Sequence, residues 1–148
     1  MKDDKKDLKE RTKQFALKII RLVASLPRTR EADIIGRQLL KAGTSVGANY
    51  RESNRSRSKA EFRAKIGIVE QEADESLYWL ELLKGSGIAK GALLEELLVE
   101  ADELVAIFTT IGRNPNKYSD FRIPTSEFSL RLTSGTMRRE LYKGEVRE

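Results

Sequence analysis

Few side chains in this sequence are suited to acid–base, nucleophilic or metal chemistry. Histidine and cysteine are absent from its 148 residues, which removes imidazole bases, thiolate nucleophiles and the usual zinc ligands. Four carboxylates do stand close together, namely Glu70, Glu72, Asp74 and Glu75. Di-metal sites in helical bundles combine such carboxylates with histidines, so we expect no metal, no cofactor and no catalytic residue. The sequence does not predict an enzyme.

The chemistry that the sequence favours is electrostatic, and it is concentrated between residues 51 and 65. That span has two acids and six bases, which are Arg51, Arg55, Arg57, Lys59, Arg63 and Lys65. Residues 66–112, by contrast, contain ten acids and two bases. The modest formal net charge of +5 therefore hides a strong separation of charge along the chain.

These bases crowd the start of a predicted helix, where the helix dipole disfavours positive charge. Three interpretations are open: contact with nucleic-acid phosphates, pairing with acidic faces of neighbouring subunits, or simple solvation at the surface. No aromatic-rich strand accompanies the bases. Any nucleic-acid binding is therefore expected to involve the RNA or DNA backbone and to be weakly sequence-specific.

Apolar residues recur with the helical period of 3.6 in four segments. The segments cover about residues 8–26, 30–51, 59–84 and 91–111. Short connections favour an all-α fold, an antiparallel up-down-up-down four-helix bundle. In that topology the N-terminus, the basic span and the start of the tail lie at one end of the bundle.

The chain is expected to consist of one bundle domain followed by a tail. Residues 1–112 are predicted to form the bundle, and residues 113–148 an irregular C-terminal tail with a short strand near Phe128 to Thr133. The tail is interpreted either as a partly ordered docking arm or as a disordered terminus.

Gly43 and Gly47 lie four residues apart inside the second predicted helix. Glycine destabilises a helix interior by roughly 1 kcal/mol relative to alanine, so two on one stripe indicate close approach of another helix. A phosphate-binding loop is the rival interpretation, but no strand precedes the glycines and no Lys-Ser/Thr pair follows them. Ser58 and Glu61 form a capping-box pattern that predicts the start of the third helix.

Several polar residues are predicted to be structural. We expect Gln38 and Glu72 to hydrogen-bond at the core edge and to set the register of the second and third helices. Ser45, Asn49 and Glu52 are expected to satisfy polar groups around the turn that follows the second helix.

The last turns of the third predicted helix, residues 77–83, are apolar on nearly every side. A helix of this kind is buried on more than one side. Tyr78, Trp79 and Leu82 are therefore candidates for an oligomer interface, although Tyr78 and Trp79 would also serve to cover the end of the bundle.

No apolar run approaches the roughly 20 residues needed to span a membrane. The segment after Met1 is charged and does not have the pattern of a secretory signal. We therefore expect a cytoplasmic protein with no membrane partner.

Three segments together carry a family resemblance: QLLKAGTSVGANYRE at 38–52, SKAEF at 58–62 and IVEQEADESLYWLELL at 68–83. With them, residues 10–112 resemble the bacterial 23S rRNA intervening-sequence protein family. A related branch comprises the accessory variability determinant proteins of diversity-generating retroelements.

The resemblance implies a four-helix bundle that assembles into a ring-like homopentamer without catalytic residues. In the related branch, basic surfaces bind nucleic acid and a reverse transcriptase. By resemblance, Arg51, Arg55, Arg57, Lys59 and Arg63 are the candidates for such a surface. The predicted function is a non-enzymatic RNA- or ribonucleoprotein-binding module that acts as a homo-oligomer. The alternative is a scaffold that recruits a protein partner, such as a reverse transcriptase or a ribosomal component.

Overall fold

A computed structural model describes residues 4–118 of the chain. It contains four long helices and one short one: α1 Asp4–Ala24, α2 Arg30–Ser53, α3 Lys59–Gly85, α4 Ala92–Arg113 and α5 Pro115–Tyr118. The all-α prediction is confirmed for this part of the chain, and the predicted helix boundaries hold to within a few residues. The strand predicted near Phe128 lies outside the described residues.

Each long helix packs against the one before it, and α4 closes the ring against α1 through the smallest of these contacts. The backbones of the two diagonal pairs, α1 with α3 and α2 with α4, stay apart. Consecutive helices joined by short loops are antiparallel, so the arrangement is the predicted up-down-up-down bundle. Short α5 packs on both α3 and α4.

Large apolar side chains from all four helices fill the centre of the bundle. Tyr50 of α2 reaches across the diagonal to Phe108 of α4, with ring centroids 5.5 Å apart and an interplanar angle of 52°. The largest fully buried side chains are Phe15, Ile19, Leu39, Val46, Ile66, Val69, Leu80, Leu83, Leu94, Leu97, Leu104 and Phe108. No helix within residues 4–118 combines the length and hydropathy that crossing a membrane would require.

Side-chain caps begin two of the helices. The Thr29 hydroxyl accepts a hydrogen bond from Ala32 N at 3.2 Å at the start of α2. At the start of α3, the Ser58 hydroxyl accepts from Glu61 N at 3.0 Å, as the capping-box pattern predicts. Gly91 precedes α4 with φ near +113°, a backbone conformation that side chains rarely adopt.

The two glycines inside α2 lie against α1. A Cβ added at Gly43 would stand 2.8 Å from Ile19 Cγ1, and one added at Gly47 would stand 3.1 Å from Thr12 Oγ1. The predicted close approach of another helix is therefore confirmed, and that helix is α1. The Thr12 hydroxyl, buried at this contact, donates to Leu8 O at 2.8 Å and so leaves no unpaired polar group there.

Gly43→Ala is expected to lower the free energy of unfolding by about 1–3 kcal/mol, because β-branched Ile19 has little freedom to move away from the new methyl group. The matched control is Gly67→Ala in the middle of α3, where an added Cβ meets no atom within 4 Å. That control should stabilise the protein by about 0.5–1 kcal/mol through helix propensity alone. Urea unfolding followed by circular dichroism measures both values, and a Gly43→Ala variant as stable as Gly67→Ala would contradict the close-contact account.

Candidate nucleic-acid interface

The fold brings three basic segments to one end of the bundle: the first half of α1, the last turns of α2 and the start of α3. Lys9 and Lys13 of α1 line the same groove as Arg51 of α2 and Arg55 in the turn after α2. Across the other side of α2, the Lys65 ammonium lies 3.1 Å from the Glu52 carboxylate. The sequence-based expectation that these segments share an end is therefore met within residues 4–118.

The six predicted bases do not form one continuous patch. Arg51 and Arg55 face α1, whereas Arg57 in the loop and Arg63 on α3 are exposed elsewhere on the same end. No salt bridge joins these four arginines to a carboxylate in the described part of the chain. Lys65 is partly neutralised by Glu52, and half-buried Lys59 has a further interaction of its own.

The α1–α2 groove, as we call the first of these surfaces, has a volume of about 550 Å³. Its lining residues are Lys9, Thr12, Lys13, Ala16, Thr44, Gly47, Ala48, Arg51, Glu52 and Arg55. Bases thus stand on both walls, and short side chains form the floor. Sequence reasoning missed Lys9 and Lys13, although their spacing of four places them on one face of α1.

The loop between α2 and α3 is held by its own capping bonds. The Glu61 carboxylate accepts a hydrogen bond from Arg57 N at 3.0 Å, while Ser58 caps Glu61 N. The reciprocal bond of the capping box thus reaches one residue further back than the pattern requires. These two bonds fix the backbone of the loop around Arg57. Ser56 is 7% exposed, and its hydroxyl has no hydrogen-bond partner among the described residues.

Charges on the opposite side of α1 are paired. The Arg11 guanidinium donates to both Glu100 carboxylate oxygens at 2.8 Å and to Glu103 at 2.8 Å, and Lys18 pairs with Glu96. The hydrogen bonds and charge of Glu100 raise the pKa of Arg11 above its already high value. Several acids of α4 are therefore neutralised within the chain, along the seam where α1 and α4 meet.

The predicted register bond between Gln38 and Glu72 is wrong. Gln38 is exposed, and no hydrogen bond joins it to Glu72 among the described side chains. Burial raises the pKa of the Glu72 carboxyl, the Glu75 carboxylate raises it further, and Lys41 lowers it in part. On α2, the residue whose charge affects the pKa of Glu72 is therefore Lys41, one turn beyond Gln38.

The other predicted structural polar residues act mostly within α2. The Ser45 hydroxyl donates to Lys41 O at 2.6 Å, and the Asn49 amide donates to Ser45 O at 2.8 Å. Both bonds return to the preceding helical turn instead of satisfying the loop after α2. Glu52 instead links α2 to α3 through Lys65.

The predicted oligomer residues lie on the outer part of α3. Tyr78 is 53% exposed, while Trp79 and Leu82 are half-buried. The Tyr78 and Trp79 rings meet edge to face with centroids 5.2 Å apart. The Trp79 indole N–H is enclosed and has no acceptor. These residues leave a partly uncovered aromatic surface on the subunit.

The carboxylates of α3 do not converge. Within residues 4–118, no group of three or more Asp and Glu side chains is placed to hold a metal ion. Glu70 lies beside α4, with its Oε1 about 4.0 Å from the position a Gly112 Cβ would take, whereas the pKa of the Glu72 carboxyl responds to the charge of Lys41 on α2. The helix period thus directs these neighbouring acids to different sides.

Comparison with known proteins assigns the chain to a family. The model of the 23S rRNA-intervening sequence protein family matches residues 4–110. A crystal structure of a protein with unknown function from the S23 ribosomal protein family, from Bacteroides thetaiotaomicron VPI-5482, is 32% identical with a TM-score of 0.68. The match covers 76% of this chain and 99% of that one. No curated protein matches the chain. The predicted likeness to diversity-generating retroelement proteins stays a prediction.

The bidentate pair between Arg11 and Glu100 should contribute measurably to stability, because the two side chains are only 28% and 23% exposed. A double-mutant cycle with Arg11→Met and Glu100→Gln is expected to give a coupling energy of about 1–2 kcal/mol. The control cycle uses Arg37 and Asp33, an i,i+4 pair on α2 that is 77% and 57% exposed, and should give about 0.5 kcal/mol or less. Equal couplings in the two cycles would show that the α1–α4 seam is no stronger than an ordinary surface pair.

Proposed function

The chain belongs to the 23S rRNA-intervening sequence protein family, and from this premise we propose that it is a non-enzymatic nucleic-acid-binding protein acting on RNA as a homo-oligomer. The basic end of the bundle is the proposed binding surface. The family description names an rRNA intervening sequence, which makes RNA the first nucleic acid to test.

The observation that carries the proposal is that bases on one side of α1 are paired with carboxylates, whereas bases on the other side are not. Arg11 and Lys18 are matched by acids of α4. Lys9 and Lys13, on the other side, have no carboxylate partner in the described part of the chain, and neither do Arg51, Arg55, Arg57 and Arg63. These six bases lie at the same end of the bundle, and together they create a positive potential to which phosphates are attracted, with release of counterions.

Assembly through α3 is the second part of the proposal. Tyr78 offers an exposed aromatic face, and half-buried Trp79 and Leu82 lie on the same outer part of α3. Aromatic residues are enriched in the buried centres of interfaces. A second copy that covers Tyr78 and Leu82 would bury apolar surface, and the resemblance to the family favours a pentamer.

Binding is expected to weaken roughly tenfold at low salt when Arg55, Arg57 and Arg63 are replaced together by Ala, because phosphate contacts at the basic end are lost. The charge-matched control replaces Arg21, Arg28 and Arg30, exposed bases at or near the opposite end of α1 and α2. Fluorescence anisotropy with a labelled RNA oligonucleotide across a salt series measures both variants. Wild-type protein that fails to bind RNA at low ionic strength, or that binds it without salt dependence, would refute the proposed function.

In solution the protein should have the mass of five 16.8 kDa subunits. Tyr78→Glu and Leu82→Glu are each expected to lower that mass, because either places a charge in the proposed interface. Val99→Glu is the control, since Val99 is 60% exposed on α4 and lies outside the proposed interface. Analytical ultracentrifugation at micromolar concentration gives the masses. A monomeric wild-type protein would contradict assembly through α3.

A further inference from the structure

The α1–α2 groove has features that the rest of the basic end lacks, and they point to one class of ligand. Lys9 and Lys13 stand on the α1 wall, and Arg51 and Arg55 stand on the α2 wall, which includes the turn after that helix. Resting on the proposed RNA binding, we infer that the groove holds the sugar-phosphate backbone of a single strand. The four bases are the proposed phosphate ligands.

The first support for this inference is that the groove bases are not paired with acids. None of the four groove bases is engaged by a carboxylate within the described residues. The groove contains one acid, Glu52, and its carboxylate lies 3.1 Å from the Lys65 ammonium. The acid that would oppose a phosphate is thus partly neutralised from outside the groove.

Spacing is the second support. On the α2 wall, Arg51 lies in the last turn of α2 and Arg55 in the turn that follows the helix. On the α1 wall, Lys9 and Lys13 are four residues apart, which is about 6 Å along the helix axis. That interval is similar to the distance between successive phosphates in an extended strand. Because the two walls face each other, a strand lying along the groove meets bases on both sides.

The floor of the groove is the third support. It is formed by short side chains, including Ala16 and Ala48, over the place where Gly47 meets Thr12. The hydroxyls of Thr12 and Thr44 donate to carbonyls of their own helices at 2.8 and 2.7 Å. Among residues 4–118, no aromatic side chain lines the groove. The floor therefore offers apolar contact without directional donors, which suits sugars and base edges and discriminates little between bases.

The same features favour a single strand over a duplex. A duplex is stiff and keeps its bases stacked. It can therefore place one of its backbones against the groove, but it cannot enter the groove and contact the bases on both walls. An unpaired strand bends into the groove and covers the apolar floor with unstacked groups.

The test replaces both groove lysines with Ala and compares this variant with Arg57→Ala/Arg63→Ala. Both double variants remove two exposed positive charges from the same end of the bundle, and only the first removes them from the groove. The probes are a labelled oligouridine and a hairpin duplex of equal length. For oligouridine we expect the groove variant to bind about tenfold more weakly, with a logarithmic salt slope shallower by about 1.4. The control variant should lose less than about threefold. Lys9→Arg/Lys13→Arg should retain affinity, because charge and not shape is required.

The outcomes separate this inference from the proposed function. Equal losses in the two Ala variants would overturn the groove assignment while leaving RNA binding at the basic end intact. A hairpin bound as tightly as oligouridine would overturn the preference for a single strand. Absence of salt-dependent binding to both probes by the wild-type protein would refute the proposed function itself. Unchanged helical content by circular dichroism checks that each variant is folded.

Discussion

Contact between α1 and α2 at Gly43 and Gly47 is the constraint on which the rest of the structure depends. A Cβ at Gly43 would clash with Ile19, and one at Gly47 would press tightly against Thr12. The close approach sets the position of α1 relative to α2, and with it the distance between the two walls of the α1–α2 groove. The core and the candidate site thus share one packing feature, because the residues that form the groove floor are short for the same reason that the helices meet closely.

The bases of α1 have different surroundings on its two sides. On the α4 side, Arg11 and Lys18 are held by glutamates, and these ion pairs close the bundle where helix contact is smallest. On the α2 side, Lys9 and Lys13 face two arginines of the same sign. Placing like charges across a groove is unfavourable in the free protein. The fold keeps these like charges together while it pairs Arg11 and Lys18 on the other side of α1, which is the physical reason for seeking an anionic ligand in the groove.

Much of the fold was predictable from the sequence, because it follows from local patterns. Apolar periodicity located the four helices, the Ser58–Glu61 pattern located the start of α3, and the spacing of Gly43 and Gly47 indicated a close helix. The candidate site was only half predictable. Arg51 and Arg55 stand in a basic run, whereas Lys9 and Lys13 are diluted by nearby acids and join the groove only through tertiary packing. The predicted Gln38–Glu72 bond is not formed for a related reason, since tertiary packing, and not the local pattern, decides which side chains of α2 and α3 meet.

The way α1 is held has a consequence for how the groove responds to its surroundings. Neutral packing against glycine fixes α1 to α2, whereas ion pairs fix α1 to α4. Salt screens the second kind of contact and leaves the first nearly unchanged. The shape of the groove is therefore expected to be insensitive to ionic strength, whereas the proposed binding of phosphates depends on it. For this protein a change of salt would alter that proposed affinity at nearly constant geometry, with any loosening confined to the α4 side of α1.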